Sequence, residues 1–172
     1  MALFGGNIED LRTLYSTQLR HLLSTEEQIV DALPKMIDAA SDTNLKQALQ
    51  THLQETEMHR ERLDSILNDL SGDSDDKKCS VAAALISAGE HTVKAAKDNA
   101  VRDAGIIAAA QKVEHFEIAS YGAARDWAKL LGETQHAALL QTTLDEEKYA
   151  DQVLTAVSHQ RNPEAARSVV AA

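Results

Sequence analysis

Cysteine occurs once, at position 79, so no disulfide can form within the chain, and one thiol fits a reducing compartment. Proline occurs twice and glycine seven times in 172 residues, and aromatic residues make up 3%. What remains is rich in Ala, Leu, Glu, Gln and Lys, a composition that favours helix almost everywhere. Basic charge is short as well: 17 Lys and Arg face 27 Asp and Glu, for a formal net charge of −10. Such a surface disfavours nucleic acid and anionic membranes as partners. No apolar run reaches the roughly 18 residues that span a bilayer. The opening MALFGGNIEDL has neither a basic segment nor a signal-like apolar run. The expected location is therefore the cytoplasm. The chain is about the length of one domain, and 44% hydrophobic residues supply a sizeable core.

Apolar positions recur at helical spacing. Asn7 is the expected first N-cap, with Glu9 and Asp10 in the first turn. Tyr15, Leu19, Leu22, Ile29, Leu33 and Met36 then form one stripe, and Pro34 inside it is expected to kink the helix, not end it. SDTN at 41–44 breaks the chain, and Leu45, Leu49, Leu53, Leu63, Ile66 and Leu70 mark a second helix. LSGDSDDKK at 70–78 reads as a loop with Gly72 as C-cap. A shorter helical segment, 80–96, follows. Asp98 and Asn99 punctuate the start of a third long helix, expected over 102–131 and stopped by Gly132. The fourth is expected over 134–159, stopping before Pro163. Tight links within each long-helix pair and a longer link between the pairs predict an all-α, ferritin-like four-helix bundle. The short fifth helix falls in the connection between helices 2 and 3. The bundle domain is expected over 1–162, with 163–172 as a frayed tail.

KVEHFEIASYG, residues 112–122, puts acids on a face meant for burial. At ~100° per residue, Ala110, Glu114, Glu117 and Tyr121 lie within about 60° of one another, and His115 points elsewhere. Glu26 sits mid-stripe in the first helix. His52, Glu55, Thr56, His59 and Leu63 share a side of the second; Thr143, Glu146, Glu147, Ala150 and Leu154 share a side of the fourth. An isolated buried carboxylate costs several kcal/mol or takes a proton. Four helices each placing one at mid-length point instead to a shared metal site. About four carboxylates balance two divalent cations, and oxygen ligands with an imidazole suit iron or manganese. HLQETEMHRERL (52–63) also aligns without gaps to TLDEEKYADQVL (143–154), setting Glu55 opposite Glu146. Wheel geometry leaves the choice between Glu146 and Glu147 open. Tyr121 and Trp127 read as core packing.

The stretches ALPKM (32–36), HLQET (52–56), KKC (77–79), VRDAGIIAAAQKVEHFEIASYG (101–122) and LDEEK (144–148) resemble the YciF/YciE family of ferritin-like bacterial stress proteins. The resemblance implies a ferritin-like bundle, a homodimer and a di-metal centre. On it, Glu26 of TEEQ, Glu55 of HLQE, Glu114 and Glu117 of VEHFE, and Glu146 and Glu147 of LDEEK are the acids of the site. Phe116 stands where the family has Tyr, and His59 where it often has Gln. The Glu-x-x-His spacing of di-iron bundles is missing from helices 2 and 4. Glu55 and His59 are four residues apart, Glu147 and Asp151 form a carboxylate pair, and Glu114 with Glu117 resembles the two-Glu helix of rubrerythrin. The expected function is a stress-associated protein holding two iron or manganese ions through these acids and His59, and reacting with a small oxidant, peroxide or oxygen. The alternative is a structural or interaction protein whose carboxylates are vestigial.

Overall fold

A computed structural model describes residues 8–70 and 78–167. The described residues form five α-helices and no strand: α1 (Leu11–Ala39), α2 (Thr43–Asp69), α3 (Ser80–Ala95), α4 (Asn99–Leu130) and α5 (Thr134–Arg167). Aspartates start three of them. Asp10 accepts from the Thr13 amide at 2.7 Å, Asp42 from Leu45 at 2.9 Å and Asp98 from Val101 at 3.0 Å. Each satisfies an amide that the first turn leaves without a partner. The start of α1 thus differs from expectation: Asp10 is the cap, not a first-turn acid, and Asn7 lies outside the described residues. Gly72 lies outside them too, and α2 ends at Asp69. Cys79, buried, precedes α3 without a side-chain cap. Its backbone is instead tied to α1, the amide donating to Ser24 Oγ at 3.0 Å and the carbonyl accepting from Gln28 at 3.2 Å.

The helix α1 runs through Pro34 unbroken. α4 begins three residues earlier than expected because Asp98 caps it. It ends at a tight turn where Gly132 takes φ +80, and the Glu133 amide returns to the Ala128 carbonyl at 2.9 Å. α5 continues past the expected stop, through Pro163 to Arg167. Arg161 holds this last stretch onto the bundle. It donates to the buried Asp103 at 2.7 Å and also pairs with Asp42 and Glu164. Asp103 further accepts from the Ser41 amide (2.7 Å), the Ser41 hydroxyl (2.6 Å) and the Asp42 amide (3.1 Å). One carboxylate therefore binds the α1–α2 turn, α4 and α5.

α1 packs on α2 and α4 on α5, contacts of α1 with α4 and α2 with α5 close the bundle, and α3 lies against α4 and α1. The core is in two apolar blocks. One gathers Tyr15, Leu19, Leu22, Leu63, Ile66, Tyr121, Leu140 and Leu144. The other gathers Ile29, Leu33, Leu45, Leu49, Ile106, Ile107, Leu154 and Val157. Between them, on every long helix, the buried sequence turns polar: Glu26 on α1, His52, Thr56 and His59 on α2, Glu114 and Glu117 on α4, Glu147 on α5.

Candidate metal centre

Burial of this middle layer is nearly complete. Glu26, Glu117, Glu147 and His59 are 0% exposed, Glu114 2% and His52 7%. The apolar residues on either side along each helix hold each group at the level of the others. His59 faces two acids through one nitrogen: Nδ1 lies 2.9 Å from Glu147 Oε1 and 3.8 Å from Glu26 Oε1. His52 Nε2 lies 3.3 Å from Glu114 Oε1. The Tyr121 hydroxyl donates to Glu26 Oε1. Two overlapping sets of donor atoms result, each within 4.8 Å of one another: His52, Glu114, Glu117 and Glu147 in the first, and Glu26, His59 and Glu147 in the second. Glu147 belongs to both.

The oxygens outnumber their donors. Glu26 Oε2, Glu114 Oε2 and both oxygens of Glu117 and Glu147 make no well-aligned hydrogen bond, His59 Nδ1 meeting Glu147 Oε1 only as an ion-pair contact. Buried polar atoms in native proteins are almost always partnered. Six such oxygens at one level need protons or a cation. Without a cation, protons supply part of the balance. Burial, chiefly, drives Glu114 and Glu117 well above the usual carboxylate range, with Glu147 and Glu26 adding repulsion. Burial raises Glu26 as well, against the pull of His59 and Tyr121. Burial opposes charge on the histidines, but their carboxylate neighbours outweigh it. His52, facing Glu114, rises to about 9, and His59, facing Glu147 and Glu26, to about 10. Glu147 is the exception among the buried acids: despite burial, His59 and His52 hold it below its ordinary value.

Glu146 and Glu55, also expected at the site, sit at its edge. Glu146 is half-buried and chelated by Arg62, whose Nη2 donates at 3.1 Å, while Nη1 reaches both Glu146 and Thr143. Glu146 Oε2 lies 3.0 Å from His59 Nε2. It can hold the proton on that nitrogen, and so turn the lone pair of Nδ1 inward, as carboxylates behind metal-bound histidines do. Glu55 is half-buried, with Oε2 3.9 Å from His52 Nδ1. His115 is exposed and faces Asp151 at 3.3 Å.

The internal sequence echo survives in burial. His52, Thr56, His59 and Leu63 are buried, as are their counterparts Thr143, Glu147, Ala150 and Leu154. Its acidic pair, Glu55 and Glu146, is the half-exposed one. The inward acid of α5 stands opposite Thr56, so α2 brings two histidines and no buried acid. His52 is a buried member of the site that was absent from the expected set. Its signal was present, seven residues before His59 on the same stripe. Tyr121, read as packing, also binds Glu26. Arg62 carried no signal, because its role depends on α5.

The donor set, four carboxylates and two imidazoles, is chemically suited to two divalent cations. Comparison with known proteins follows the same span. The chain is 39% identical over 150 residues to Protein YciF of Escherichia coli strain K12, covering 87% of this chain and 90% of that one. The crystal structure of the E. coli stress protein YciF matches with a TM-score of 0.83 at 37% identity, over 91% of this chain and 99% of that one. YcfI of Rhodopseudomonas palustris matches with a TM-score of 0.84 at 38% identity, over 89% of this chain and 98% of that one. With YciF a relative along nearly the whole chain and residues 10–167 matching the family pattern, the chain belongs to the family described as "Domain of unknown function (DUF892)".

Proposed function

We propose that the protein is a ferritin-like, stress-associated metal protein that binds two divalent cations, iron or manganese, in the middle of its bundle. The observation that carries this reading is the set of six buried carboxylate oxygens without well-aligned hydrogen bonds, facing two histidines. His52, Glu114 and Glu117 would hold one cation, Glu26 and His59 the other, and Glu147 would be shared. Four carboxylates cancel the charge of two divalent ions, which removes the penalty of burying them. Bound iron or manganese supplies Lewis acidity and a redox couple, suited to a small oxidant such as peroxide or oxygen. The residues around the site exclude water, hold the Tyr121 proton on Glu26 and fix the His59 ring through Glu146. On this reading the protein is a cytoplasmic homodimer; no helix among the described residues is long and apolar enough to cross a membrane.

Elemental measurement on protein purified without chelator is the test. Two equivalents of iron or manganese per chain are expected, with at least one lost on mutation of Glu117. Protein that stays metal-free after incubation with excess Fe(II) and Mn(II) would defeat the reading. One observation favours the second reading, a structural protein with a vestigial layer. Protons on Glu114, Glu117, His52 and His59 lower the charge of the cluster by themselves. The metal-free and metal-loaded forms then share a fold, and loaded stoichiometry alone separates the readings.

A further inference from the structure

The candidate ligands are closed off from solvent, so a cation needs a route to them. Among the described residues, two cavities touch both His52 and Glu114. The smaller, about 50 Å³, lies under α3 with walls of Ile29, Leu33, Leu85, Ile86 and Ile106. Along those apolar walls an ion would lose its hydration with no oxygen or nitrogen to replace it. The larger, about 270 Å³, is a cleft between α2 and α5. Exposed Asn44, Gln47 and Thr51 form its mouth, and small side chains at Ala48 and Ala150 leave it open. Among the described residues no Lys or Arg lines it. Its ionisable residues are Glu55 and Tyr149 near the surface and His52 and Glu114 at depth.

Glu55 is thereby explained. It is too far out to join either donor set, yet it is half-buried in the wall of this cleft and 3.9 Å from His52 Nδ1. That nitrogen belongs to a side chain 7% exposed and has no hydrogen-bond partner. The other nitrogen of the same ring faces Glu114. Glu55, His52 and Glu114 are thus three donors in line from solvent to the interior.

We propose that the α2–α5 cleft is the port for a hydrated divalent cation, and that Glu55 is its receiving carboxylate, handing the ion through His52 to Glu114. Glu55 draws the cation in by charge and replaces part of its hydration shell, so it governs the rate of loading and not the final occupancy. Anions are turned away, because every charged carboxylate along the path repels them. This inference rests on the metal reading above.

The test is the time course of Mn(II) uptake by metal-free protein, followed as loss of the free-ion electron paramagnetic resonance signal. Wild type, Glu55→Gln and Thr51→Trp are compared at low and high salt. Glu55→Gln removes the charge at constant shape; Thr51→Trp plugs the mouth from an exposed position, sparing the core. Both should load about tenfold more slowly or worse, the scale of electrostatic steering, and reach the wild-type stoichiometry. Salt should slow the wild type more than Glu55→Gln. Unchanged rates in both variants would overturn the port. Loss of one equivalent in Glu55→Gln would overturn the relay, making Glu55 a ligand. Failure of the wild type to take up Mn(II) at any time would instead sink the metal reading, and this inference with it.

Discussion

Two adjacent glutamates on α5 divide the work by a rotation of ~100°. Glu147 points into the layer and Glu146 to its edge, where Arg62 grips it. Glu147→Gln should remove at least one cation per chain, since Glu147 touches both donor sets. Glu146→Gln should keep both cations and weaken binding by about tenfold, the usual cost of losing a carboxylate behind a metal-bound histidine. Titration of metal-free variants with Mn(II) checks the pair; equal losses would show that the orienting role is wrong. Glu117 gives a test with opposite signs. Both its oxygens are unpartnered, and burial keeps its proton on well above the usual range. Glu117→Gln copies the protonated form. At pH 9 the metal-free variant should melt about 2–4 °C above wild type, equivalent to about 1 kcal/mol in a chain of this size. Its metal content should fall at the same time. A variant no more stable than wild type at pH 9 would mean that Glu117 is not strained there.

At the scale of elements, the end of α5 turns on a single contact. Pro163 cannot donate a backbone bond, and on local preference the helix should stop before it. Arg161, two residues earlier, is tied to Asp103, a residue with no exposure at all. Arg161→Ala should cost about 3 kcal/mol, the scale for leaving a buried charge without its partner. Thermal unfolding reads that loss, and limited proteolysis should then cut near Pro163. A loss within error of zero would show that the three donors from Ser41 and Asp42 suffice for Asp103. The junction of α3 and α4 is equally local. A Cβ on Gly89 would stand 3.0 Å from Ala109 Cβ and 3.6 Å from Met36 Cε. Gly89→Leu should therefore destabilise by about 1–3 kcal/mol through overpacking, although Leu is the better helix former.

For the whole molecule, the proposed reading makes protons and metal compete for one cluster. His52 and His59 hold their second proton to about 9 and about 10 in the fold, against an ordinary 6.5. Glu114 and Glu117 likewise hold theirs above an ordinary 4.5. The folded state then binds more protons than the unfolded chain, and stability falls as pH rises. The contribution of the histidines is complete below about 6.5 and gone above about 10. The melting temperature of metal-free protein should fall steadily from pH 6 to pH 10. A cation bound as proposed would displace those protons, so its affinity should rise over the same range. Mn(II) should raise the melting temperature more at pH 8.5 than at pH 6, because an ion bound only to the native state stabilises by mass action. Calorimetry in buffers of different ionisation enthalpy counts the released protons. A pH-independent gap between the metal-free and loaded forms would show that the cluster does not exchange protons for metal.

Period 3.6 in the apolar residues, the scarcity of Gly and Pro, and Asp98 and Gly132 as punctuation make the helices legible in the sequence. So were Glu26, Glu114 and Glu117 as inward acids, because each lies mid-stripe between apolar neighbours on its own helix. Those are properties of one segment, and one segment's sequence carries them. The rest depended on segments meeting. Glu146 and Glu147 straddle the edge of one wheel, and the packing of α5 against its neighbours, with Arg62 and His59 of α2 meeting Glu146, decides which of them turns outward. His52 was visible on its stripe, but no local rule could tell that it would face Glu114. Glu55 shared that stripe and yet lies in the wall of a cleft that exists only where α2 and α5 stand apart. The helix beyond Pro163 persists against local preference because Asp103, 58 residues away in sequence, holds Arg161. Periodicity determines which face a helix buries; which side chains meet across that face is decided by the packing of the helices upon one another.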